Sequence, residues 1–112
     1  MINIMQIGGQ KAIVAYDPEI EMFRGEFVGL NGGADFYATD VAGLHREGEQ
    51  SLNVFLEECR RRGVEPYKQY SGKFVMRLSP GAHHAAATAA AARGVSLNQW
   101  AAEVLEQAAV AD

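Results

Sequence analysis

Lys73-Phe74-Val75-Met76-Arg77-Leu78-Ser79-Pro80 is the stretch on which the reading of this chain turns. Residues 73–78 alternate strictly: Phe74, Met76 and Leu78 fall on one face, and Lys73, Val75 and Arg77 on the other. That is the period of a half-buried strand. Ser79-Pro80 ends it and starts a helix, with serine as N-cap and proline at the first helical position, where a missing N–H is harmless. The helix runs through an alanine-rich stretch to Arg93, and Gly94 closes it. Ser96 and Gln99 have capping-box spacing for a last helix. In that helix Leu97, Trp100, Ala101, Val104, Leu105, Ala108 and Ala109 make the cleanest amphipathic stripe in the chain.

Strand, helix and helix thus follow one another within residues 71–112, a unit too small to bury a core alone. Chains below about 40–70 residues usually need metals, disulfides or a partner. Cys59 is the only cysteine, so no internal disulfide is available. A lone strand also leaves its backbone groups unpaired. Pairing with the same strand of a second copy answers both problems and gives a two-fold dimer. The resulting antiparallel ribbon is narrow enough for a DNA major groove. A helix-turn-helix is the main rival. It leaves the alternating strand unexplained and needs apolar residues near Arg93 and Glu103.

Outward toward the N-terminus, residues 65–72 carry proline and glycine without an apolar period and read as a linker. The expected domains are 1–65, a linker over 66–72, and 73–112. In the first domain, Lys11–Tyr16, Met22–Leu30 and Asp35–Thr39 read as three strands of an antiparallel meander. Asp17-Pro18 and Asn31-Gly32 are the turn signals. A helix capped at Thr39 or Asp40 follows. Its stripe of Val41, Leu44, Leu52, Phe55, Leu56 and Cys59 would lie across the meander, and Gly63 ends it. Arg60-Arg61-Arg62 complements the dipole of its last turn and pairs with Glu57 and Glu58, a reading preferred over a nucleic-acid patch. The fold class is α+β.

Composition agrees with an ordinary globular chain. It has 112 residues, of which 48% are hydrophobic and 21% charged, and this excludes a disordered tail. No stretch approaches the ~18 apolar residues of a membrane span, and the N-terminus lacks the pattern of a secretory signal. With a single cysteine, a reducing, cytoplasmic setting is expected. The net charge is −4 and falls in residues 1–70, while residues 71–112 balance. A uniformly basic nucleic-acid coat is excluded; a local basic patch is not.

Catalytic and metal-binding readings find little footing. His45 and Glu49 are one helical turn apart, but two ligands make no site. His83 and His84 are adjacent and splay about 100° apart on a helix. Cys59 and Trp100 lie on apolar stripes. Gly8-Gly9 and Gly32-Gly33 lack the strand-to-helix context of a phosphate loop. Asp17, Glu26, Asp35 and Asp40 lack the diagnostic spacing of a metal-dependent nuclease. No cofactor, no metal and no enzymatic activity are expected.

The residues from Lys73 to Leu78 and the segment Gly94-Val95-Ser96-Leu97-Asn98 resemble a ribbon-helix-helix DNA-binding domain. More narrowly, Ser71-Gly72-Lys73-Phe74, Leu78-Ser79-Pro80 and Gly94 to Trp100 resemble the C-terminal region of HicB-family antitoxins. Ala15-Tyr16-Asp17-Pro18-Glu19, Arg24-Gly25-Glu26 and Arg62-Gly63-Val64-Glu65-Pro66 extend the similarity into the first half. The resemblance implies a type II antitoxin in two parts. A partial RNase H-like domain would cover a HicA-like, mRNA-cleaving toxin, and the C-terminal domain would bind operator DNA as a dimer, or as a pair of dimers, and repress its own operon. Lys73, Val75 and Arg77 would face the bases; Ser96, Leu97 and Asn98 would hold a phosphate at a helix start. Asp17, Glu19, Glu21 and Glu26 are the candidate toxin contacts, since turns and strand edges present charge outward. A dimeric repressor whose first domain senses a small molecule is the alternative.

Overall fold

The computed structural model describes residues 3–110. The outermost ends of the expected domains 1–65 and 73–112 lie outside them. The described residues divide into two compact units, 3–71 and 72–110.

The first unit is a four-stranded antiparallel sheet followed by a long helix. Strands β1 (Ile4–Ile7), β2 (Gln10–Asp17), β3 (Met22–Phe27) and β4 (Asp35–Ala38) lie side by side in chain order. Helix α1 (Val41–Arg62) covers one face. The alternating strand residues Ala12, Phe27, Phe36 and Ala38 point to that face and pack with Ile7, Leu30, Leu44 and Leu52 into the core. Asp40 caps α1, its carboxylate accepting from the Gly43 N–H at 2.6 Å, and Gly63 ends it in the left-handed conformation at φ 66°.

Among the described residues four strands are present where three were expected. The missed strand is β1, whose four residues pair with β2 through the two-residue turn Gly8-Gly9. Both glycines take positive φ, 57° and 79°, as a two-residue hairpin loop of this hand requires. The turn chemistry was visible; the strand before it is too short to show a period.

The expected Asn31-Gly32 hairpin is also corrected. β3 stops at Phe27 and β4 starts at Asp35, so a seven-residue loop replaces a two-residue turn. Asn31 is used differently. Its N–H donates to the Pro66 carbonyl at 2.7 Å, and its side-chain amide donates to the Glu65 carbonyl at 3.2 Å. Lys68 N–H donates to the Gly29 carbonyl at 2.9 Å, and Leu30 forms a single antiparallel bridge with Tyr67. Residues 65–68, which carry no periodic pattern, are thus held by the first unit.

Gly43 and Gly48 weaken α1 as a helix, yet both are buried in it. At Gly48 the reason is a close approach: a Cβ there would lie 2.7 Å from Ile7 Cδ1 and 3.2 Å from the Phe36 ring. The helix settles on the sheet because that side chain is missing. Val41, expected on the buried stripe, is 62% exposed. Helical side chains lean toward the N-terminus, so the first one leans past the end of the helix.

The second unit contains α2 (Pro80–Ala92) and α3 (Leu97–Val110). Ser79 caps α2 by accepting from the Ala82 N–H, and Ser96 caps α3 by accepting from the Gln99 N–H at 3.0 Å. Arg93 and Glu103 form an ion pair at 2.9 Å between the end of α2 and the side of α3. A helix-turn-helix would want apolar residues at those two positions.

The strand expected over Lys73–Leu78 is not formed in the single chain. A strand exists only by pairing with another. Residues 72–110 offer no second extended segment of that length.

Candidate functional site

Within the second unit the alternation of residues 74–78 shows in which of them line a groove, while Lys73, expected on the other face, lines it too. A groove of about 830 Å³ is lined by Phe74, Met76 and Leu78 on one side and by Leu97, Ala101 and Leu105 of α3 on the other. Val75 and Arg77 do not line it, and Val75 is 98% exposed. Ser96, Leu97 and Asn98 stand at the start of α3 on the same groove, together with Lys73. The structure therefore gathers Lys73 and Ser96–Asn98 at one place. Ser96 already uses its hydroxyl as a cap, and the half-buried Leu97 has only its N–H to offer an anion.

The apolar side of this unit is uncovered. Ala90 is the one buried residue of the described residues 72–110. Phe74 is 71% exposed and Met76 51%. Val104 and Leu105, on the amphipathic stripe of α3, are exposed as well.

In the first unit the four carboxylates singled out from the sequence do not form one cluster. Asp17, Glu19 and Glu21 crowd the β2–β3 turn. There the Asp17 carboxylate accepts from the Glu19 N–H at 3.0 Å, and Glu21 takes a positive φ of 53°. Glu26 lies on the bare outer face of the sheet, 3.6 Å from Arg24. Arg24 also donates to Asp35 at 2.5 Å. Asp35 first, and Tyr37 after it, hold the Arg24 guanidinium in its charged form and raise its pKa further above the usual arginine value. Arg60 and Arg61 pair with Glu57 and Glu58 one turn back in α1, as their spacing predicts.

Sequence reasoning missed a second feature of this unit. A cleft of about 740 Å³ runs between β4 and α1. It is floored by Phe36 and Phe55 and edged by Val54 and the carboxylates Asp35, Glu47 and Glu58, with no lysine or arginine in its lining. Among the α1 contributors, Glu47, Ser51, Val54 and Glu58 recur at three- and four-residue intervals, with Gln50 and Phe55 beside them. That stripe was legible, but nothing in it tells that a strand edge lies alongside. Among the described residues no group of three or more histidines, cysteines or carboxylates is placed to hold a metal ion, and no helix is long and apolar enough to cross a membrane.

An acidic α+β unit joined to a small helical unit, which presents an alternating segment beside an uncovered apolar groove, defines the class of this protein. Compared with known proteins, the chain matches the HicB family model over residues 55–105, from the last turns of α1 to Leu105 in α3. That match spans just under half of the chain; it supports membership of the HicB family and is consistent with an antitoxin role in a toxin–antitoxin pair. No curated protein and no solved structure gives a significant match.

Proposed function

We propose that this protein is the antitoxin of a type II toxin–antitoxin pair. Its first unit, a partial RNase H-like α+β domain, binds and neutralises a HicA-like toxin. Its second unit pairs with a second copy to form a ribbon-helix-helix that binds operator DNA and represses the operon. The observation that carries the dimer is the near absence of a core in residues 72–110, where Ala90 alone is buried while the apolar face of residues 74–78 stands open beside α3. Two copies paired along Lys73–Leu78 cover that face, and the pairing completes the strand.

In such a dimer the opposite face carries two copies of Val75 and Arg77, and pairing of the strand turns Lys73, which borders the groove in the single chain, to that face as well. Lysine and arginine read guanine O6 and N7, and Val75 meets a thymine methyl. The α3 start at Ser96–Asn98 supplies N–H groups for a backbone phosphate. On the first unit, Asp17, Glu19 and Glu21 at the β2–β3 turn and Glu26 on the outer face offer the negative charge that suits a basic, RNA-cleaving partner.

Separation of the two activities tests the reading. In the full chain, Lys73→Ala and Arg77→Ala should each weaken operator binding in a gel shift, by ~1–3 kcal/mol where Arg77 reads a base. Growth rescue of cells expressing the toxin should stay intact. Unchanged operator affinity in both variants refutes the ribbon assignment. Rescue lost together with DNA binding refutes the division of labour.

A further inference from the structure

We propose that the β4 edge accepts an extended, basic segment of a partner protein as a fifth strand; this rests on reading the first unit as the protein-binding half. Strand β4 ends the sheet on its side. Its ladder to β3 fixes which backbone groups face outward. Phe27 N–H donates to the Ala34 carbonyl, so the pairs at Ala34, Phe36 and Ala38 turn their N–H and C=O groups inward to β3. Asp35 and Tyr37 therefore turn theirs away from the sheet. The Asp35 carbonyl is taken by the Ser51 hydroxyl at 3.0 Å. The Asp35 N–H and both backbone groups of Tyr37 have no backbone partner among the described residues. Three outward groups at alternate positions are what an added strand pairs with.

The surroundings say what kind of strand fits. The edge opens onto the cleft between β4 and α1, whose floor is aromatic and whose lining contains the carboxylates Asp35, Glu47 and Glu58 but no lysine or arginine. Val54 is 64% exposed there. An incoming strand sends alternate side chains to one face, so apolar residues reach Val54 and Phe55 while lysine or arginine reaches Glu47 and Glu58. Asp35 is held by Arg24 on the outer face, so the cation-accepting groups are Glu47 and Glu58; their pairs with Arg46 and Arg61 are exposed ones that hold weakly and yield to an incoming cation. A second copy of this chain fits poorly, because a two-fold β4–β4 junction brings each acidic rim against its own copy. The occupant is a basic partner.

The test uses the full chain and a purified HicA-like toxin. In the complex, hydrogen exchange at the Asp35 and Tyr37 amides should slow at least tenfold. The double variant Glu47→Lys/Glu58→Lys, at half-buried rim positions and with an unchanged Tm, should bind at least tenfold more weakly by calorimetry. A complex that forms with unchanged exchange at both amides, or with undiminished affinity for the double variant, overturns the edge-docking proposal and leaves the antitoxin reading standing. Amides already protected in the free chain at high concentration assign the edge to a second copy and overturn it too. If the wild-type chain forms no complex, the antitoxin reading fails and the docking proposal fails with it.

Discussion

Phe74 and Val75 are neighbours in the chain and should behave as opposites. In a dimer paired along residues 73–78, Phe74 faces the groove beside α3 and Val75 faces away from it. Burying a phenylalanine side chain fully is worth about 1.5–3 kcal/mol. Phe74 is 71% exposed in the single chain, so dimerisation has most of that still to gain, about 1–2 kcal/mol per copy. Both copies lose it together in Phe74→Ala. The dimer should weaken by about 2–4 kcal/mol, a ~30- to 1,000-fold rise in Kd. Val75 is 98% exposed and contributes little to the pairing, so Val75→Ala should stay within about fivefold, as two surface changes of up to ~0.5 kcal/mol each do. Sedimentation equilibrium of the full chain across a concentration series reads both numbers. Operator binding by gel shift, at concentrations where each variant is dimeric, should show the reverse order, with Val75→Ala the weaker binder. Equal effects of the two substitutions on the dimer, or an unchanged Kd in Phe74→Ala, would refute the alternation on which the ribbon depends.

Two glycines should respond with opposite signs. Gly48→Val puts a branched side chain where a Cβ alone meets Ile7 at 2.7 Å. The overpacking cost of ~1–3 kcal/mol should outweigh the helix propensity gained on leaving glycine, under ~1 kcal/mol, and lower Tm. Gly81→Ala in α2 meets nothing within 4 Å and should stabilise the second unit by ~0.4–1 kcal/mol in thermal unfolding. Asn31→Ala removes the side-chain bond to Glu65, worth ~0.5–1.5 kcal/mol, so limited trypsin digestion should cut after Lys68 about 2- to 10-fold faster. A cleavage rate equal to the wild type would show that the Asn31 side chain does not hold that segment.

The sequence by itself determined the features that depend on a few neighbouring residues. Asp40, Ser79 and Ser96 cap their helices because a short oxygen-bearing side chain reaches the N–H three residues on, and that geometry is local. Gly63 ends α1 for an equally local reason. The faces of β3 followed from period two, and the buried stripe of α1 from period 3.6, with Val41 lost to an end effect. The apolar alternation of residues 73–78 was legible in the same way, and the family match covers that segment.

Tertiary structure alone decided the rest. Asn31-Gly32 reads as a tight turn, but residues 65–68 arrive from across the unit and claim Asn31, so the loop widens. β1 is four residues long and becomes a strand only because β2 lies beside it. Gly48 looks like a flaw in a helix until Ile7 and Phe36 are seen to fill its place. The open edge of β4 and its acidic cleft bring together residues 33–37 and 47–58, which no window on the sequence spans. Caps and periods are short-range and survive in any fold of these residues. Edges, clefts and close approaches are made by segments far apart in sequence, whose meeting is set by the burial of one shared core.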